Sequence, residues 1–120
     1  MFFWWFMLIN GLLIPGIMIL FGWLLWKHGP KDINSFYGYR TKRSRKNEES
    51  WLFAQEYFGR LWFKLGLILF PVSIIAYIPF IHSNKDKLGV VGLIIMTVQM
   101  VIILWPIIPT ERQLKKRFSN

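Results

Sequence analysis

The chain has 120 residues, enough for one domain, and 54% of them are hydrophobic, including seven Trp and eleven Phe. These residues are gathered into long blocks, a composition that excludes an ordinary water-soluble core. The absence of cysteine excludes disulfides, thiol nucleophiles and cysteine-ligated metal, and the net charge of +9 sits beside apolar runs, where anionic lipid explains it better than nucleic acid.

Residues 1–26 form the first apolar block and carry no charge. About 20 residues at 1.5 Å each cross a hydrocarbon core, so the block spans with some tilt. A cleavable signal peptide fits poorly, because the charged leading region is missing and the apolar part is too long. Phe2, Phe3, Trp4 and Trp5 at one end and Trp23 and Trp26 at the other read as interfacial aromatic belts. Asn10, Gly11, Pro15 and Gly16 inside the block mark a close helix contact or a local kink.

Gly29 and Pro30 stop this helix, since Pro30 lacks an N–H and restricts the residue before it. The following polar stretch is assigned, with an amphipathic helix, to a cytoplasmic region over residues 27–60. Gly38 suggests a tight turn or a close backbone approach. Asn47 is an N-cap candidate, with Glu48 and Glu49 where carboxylates suit the positive end of a helix dipole. Trp51, Ala54, Phe58, Leu61, Trp62 and Leu65 recur at three- and four-residue spacing along one face. Gln55, Glu56, Arg60 and Lys64 are assigned to another, with Glu56 and Arg60 as an i, i+4 pair. The expectation is an amphipathic helix at the membrane interface that bends at Gly59 into the next span.

The second span covers residues 61–81 and includes Pro71 and Pro79, with Ser73 placed to serve a carbonyl freed near Pro71. A short link joins it to an antiparallel third span at residues 88–108, whose strongly polar residue, Gln99, suggests a hydrogen bond between helices. Pro106 and Pro109 end that span, and residues 109–120 form a basic tail. The fold class is therefore all-α, a single membrane domain with three transmembrane helices. Residues 27–49 hold seven Lys or Arg and the tail four, so the positive-inside rule puts both in the cytoplasm and the N-terminus outside.

Catalytic machinery is not visible. His28 and His82 fall on opposite membrane faces, and there is no Gly-rich phosphate loop, Ser–His–Asp set or metal-ligand spacing, so no enzyme, cofactor or metal is expected. The remaining constellation is Asn34, Gly38, Tyr39, Arg40, Thr41, Asn47, Trp51 and Gly59. Arg40 offers a planar fork of donors suited to a lipid phosphate or to loop carbonyls. The alternative is that the Lys42–Lys46 run is generic surface charge and the polar residues only tie the loop to the bundle.

The spacing Asn34-x-x-x-Gly38-Tyr39-Arg40-Thr41, followed by Asn47-x-x-x-Trp51-x-x-Ala54 and Gly59, with one apolar span before and two after, resembles the SdpI family of bacterial membrane proteins in its short, three-span form. The likeness runs over residues 34–108. It implies a multi-pass protein of the bacterial plasma membrane that gives immunity to a secreted, membrane-active antimicrobial peptide toxin. It further implies signalling through a cytoplasmic transcriptional repressor, with the motif residues as the binding or loop-organising site. Membrane lipids are the other expected partner, with no direct contact to nucleic acid. Two competing readings are an anionic-lipid-binding or lipid-handling protein and a small subunit of a membrane complex.

Overall fold

The computed structural model describes residues 2–34 and 37–118. Its elements are α1 (Phe2–His28), α2 (Glu48–Tyr77), a 3-10 turn (Ile78–Phe80), α3 (Lys85–Leu104) and α4 (Ile107–Arg117). Three helices are long and apolar enough to cross a membrane: α1, α2 with its 3-10 turn, and α3 continued by α4. They form an elongated bundle of 54 × 23 × 22 Å.

Small residues set how closely α1 and α2 approach. A Cβ on Gly59 would lie 2.5 Å from the Trp26 nitrogen and 2.7 Å from the Gly22 oxygen, and one on Gly66 would lie 3.0 Å from the Pro15 oxygen. The two backbones thus touch along a glycine seam, which replaces the hydrophobic drive that lipid cannot supply. Because Trp4 packs with Tyr77 at one end while Trp26 meets Gly59 at the other, the helices run antiparallel. Gln99 of α3 reaches Gly11 and Ser73, and Gly92 faces Met7, so α3 runs antiparallel to α2 and parallel to α1.

Pro15 explains why a glutamine is buried in this bundle. Lacking an N–H, it leaves the Gly11 carbonyl four residues earlier without its helical donor. Gln99 Nε2 donates to that carbonyl at 2.7 Å and to Ser73 Oγ at 3.0 Å, an interhelical bond of the kind the sequence suggests. Ser73 Oγ thus accepts from α3. Indole N–H groups serve other helix-end or loop carbonyls in the same way. Trp4 donates to Tyr77 O at 2.8 Å, Trp62 to Ile103 O at 3.0 Å, and Trp51 to Pro30 O at 2.7 Å. Trp4 is accordingly buried, although the sequence places it in an aromatic belt.

Residues 48–60 do not form a separate interfacial helix; they are the opening turns of α2, which continues unbroken to Tyr77. Gly59 provides close packing against α1 within that continuous helix, not a bend. The third span also divides differently, with α3 ending at Leu104 and Pro106 capping α4, so that Pro109 lies inside a further helix.

Candidate functional site

The polar loop and α4 occupy the same end of the bundle, packed on the first turns of α2. Asn47 starts α2, its side chain accepting from the Ser50 amide at 2.8 Å. Trp51 is fully buried and ties the helix to the chain at Pro30. These two residues fix where the loop leaves α1 and where it returns.

Between them the backbone passes over Gln55. Gly38 has φ +105°, a conformation that side chains rarely adopt, and a Cβ there would lie 2.6 Å from Gln55 Oε1. The turn delivers Tyr39 so that Gln55 grips both of its backbone groups: Tyr39 N donates to Gln55 Oε1, and Gln55 Nε2 donates to Tyr39 O, each at 2.7 Å. The amide side chain pairs with both backbone groups of Tyr39, as a rung of a strand ladder would. Tyr39 packs its ring on Phe58 in a cluster with Leu25, Ala54 and Leu114.

The Tyr39 hydroxyl then crosses to α4, donating to Glu111 Oε2 at 2.6 Å, and Thr41 Oγ1 donates to the same oxygen at 2.7 Å. Burial first, then the hydrogen bond to Glu111 and the charge of its carboxylate, holds the Tyr39 hydroxyl well above the ordinary tyrosine range. The hydroxyl therefore remains a donor at physiological pH. Arg43 Nη1 stands 3.7 Å from Glu111 Oε1, a long and half-exposed ion pair that contributes little to stability. Ser44 is fully buried beneath the turn: Thr41 N donates to its oxygen at 2.8 Å, and Oγ lies 3.1 Å from Tyr39 O and 2.9 Å from Thr41 O.

The structure thus brings Gly38, Tyr39 and Thr41 together, with Asn47 and Trp51 as supports. Asn34 lies apart in a local turn, accepting from Tyr37 N at 3.0 Å and donating to Asp32 O at 3.1 Å. Arg40 is on the exposed side of the loop, and Gly59 belongs to the α1–α2 seam. Three organising residues were missed from sequence: Gln55, Ser44 and Glu111. Gln55 had a signal, because positions 51, 54, 55, 58 and 59 make one buried stripe and it occupies the slot between Trp51 and Phe58. Glu111 had none beyond being a lone acid in a basic tail. Among the described residues, no group of three His, Cys, Asp or Glu is placed to hold a metal ion.

The sequence model of the SdpI/YfhL protein family matches residues 31–110, two thirds of the chain, taking in the loop from residue 31, α2 and α3. The chain belongs to the SdpI/YfhL protein family. A similar protein is the uncharacterized YfhL of Bacillus subtilis (strain 168), 42% identical over 60 residues, a match covering 50% of this chain and 54% of that relative. The chain thus matches about half the length of its relative. No solved structure matches it. Within this SdpI/YfhL chain, Tyr39, Thr41, Ser44 and Gln55 lie inside the matched region, and Glu111 lies one residue beyond it.

Proposed function

We propose that this SdpI/YfhL chain protects a bacterial cell against a membrane-active antimicrobial peptide. It acts from the plasma membrane, without catalysis, by binding the peptide or guarding the membrane component that the peptide attacks. The observation that carries the reading is the family match across residues 31–110, which includes the loop that Gln55 and Ser44 hold in one conformation. The loop and α4 face the cytoplasm in this reading, because the basic residues concentrate there. The apolar bundle meets the peptide in the bilayer, and the fixed loop stabilises the bound state and offers its outward side chains, Arg40 among them, to a cytoplasmic repressor.

Expression in a toxin-sensitive bacterium tests this. Cells carrying the chain are expected to survive a peptide dose that kills vector controls; death at the same dose across several such peptides would sink the proposal. Orientation is checked separately, since the chain has no native cysteine. A single cysteine at Asn84 should react with a membrane-impermeant maleimide on intact cells, and one at Lys46 should not.

A further inference from the structure

Between the loop and α4 lies an open cleft of about 590 Å³ lined by Lys42, Arg43, Lys46, Glu111, Leu114, Lys115 and Phe118. Its basic side is organised by the turn. Arg45 N donates to Thr41 O at 3.1 Å and Lys46 N to Arg43 O at 3.4 Å, closing a helix-like turn over the buried Ser44. Position 46 then falls on the same side as positions 42 and 43, which stand four and three residues before it, and the three line the cleft together. Lys115 of α4 faces them across the opening. Four cations thus converge where one carboxylate stands, and that carboxylate already receives the Tyr39 and Thr41 hydroxyls on Oε2. The long Arg43–Glu111 pair leaves Arg43 with donors to offer an incoming anion.

The floor is apolar: Leu114 is buried, and Phe118 packs edge-on against Phe53. An anionic group with a carbon backbone fits such a cleft better than a bare ion. We propose that this cleft binds a phosphate ester, the group carried by an anionic phospholipid headgroup or by a small soluble phosphate. Measured along the helix from Trp105, Glu111, Leu114 and Lys115 sit roughly 9–15 Å further on, at the basic end of the bundle beside the apolar run, so both sources reach the cleft. The site is distinct from Arg40 and independent of any toxin.

The test uses the full chain in neutral detergent, with dioleoylphosphatidylglycerol against dioleoylphosphatidylcholine by native mass spectrometry, and glycerol phosphate by thermal shift. The cleft variant combines Lys42→Gln, Lys46→Gln and Lys115→Gln; a control removes as many exposed charges elsewhere, Lys31→Gln, Lys64→Gln and Lys116→Gln. Arg43 is kept because it faces Glu111. Selective retention of phosphatidylglycerol by wild type and control, weakened roughly tenfold or more in the cleft variant, establishes the site with a lipid source. No lipid selectivity, but a thermal shift with glycerol phosphate in wild type and control that disappears in the cleft variant, establishes it with a soluble source. Equal weakening in both variants, or no response to either probe, overturns the proposal. Neither readout involves survival, so failure here leaves the immunity reading standing, and failure of that reading leaves this one.

Discussion

Gln55→Ala tests the grip on Tyr39. The substitution removes both partners that Gln55 supplies to the Tyr39 backbone. The Tyr39 carbonyl keeps Ser44 Oγ at 3.1 Å, but its amide loses the acceptor shown here in a buried setting. An orphaned buried amide costs about 1–3 kcal/mol, and that cost falls on the loop, because α2 itself keeps its helical bonds. Local opening should therefore become roughly 5- to 150-fold more populated. Limited trypsin digestion reads this directly, since Lys42, Arg43, Arg45 and Lys46 are consecutive exposed cleavage sites around one buried serine. When opening and closing are fast compared with cleavage, the cut rate follows the open population. A Gln55→Ala protein cut in this loop no faster than wild type, at matched protease and with α2 intact, would refute the claim that Gln55 holds the loop.

Gly59→Ala should lower the melting temperature on the order of 5 °C or more, because the new methyl meets backbone atoms that cannot yield. Gly89→Ala, with open space around it in α3, should leave the temperature unchanged or raise it. Gln99→Leu should destabilise the bundle by about 1–2 kcal/mol, and by less in a Pro15→Ala background, where residue 15 regains the N–H that the Gly11 carbonyl lacks; a denaturation cycle measures the difference. For Tyr39 the folded hydroxyl titrates above the unfolded value of 10.0, so its contribution is complete below pH 10 and declines as pH rises beyond it. Stability of wild type relative to Tyr39→Phe should accordingly be flat at neutral pH and fall above pH 10 in a thermal-melt series.

The spans were legible because membrane crossing is written in local composition: uncharged runs of the right length need no knowledge of their neighbours. Capping by Asn47 and the turn at Gly38 were legible for a similar reason, since a cap and a left-handed glycine act within a few residues. The site's centre was not. Tyr39 meets Glu111 across 72 positions, and no local period links an acid in a basic tail to a tyrosine in a loop. Gln55 lies on the buried face despite its polarity: the stripe through Trp51 and Phe58 runs over it, and an amide goes inside when it can bond both groups of a passing backbone. The continuity of α2 was misread for a related reason. A glycine at the edge of an apolar run suits a bend and a tight helix contact equally well, and only the position of Gly22 on α1 decides between them.

If the loop held by Gln55 and Glu111 is the working part of the proposed immunity function, loosening it must cost protection. The most direct measurement is survival of a toxin-sensitive strain expressing wild type, Gln55→Ala or Glu111→Gln, with membrane levels compared by immunoblot. The account predicts that wild type protects and that both variants lose protection while reaching the membrane in similar amounts. Variants that protect as well as wild type would contradict it, as would a wild type that is well expressed and gives no protection.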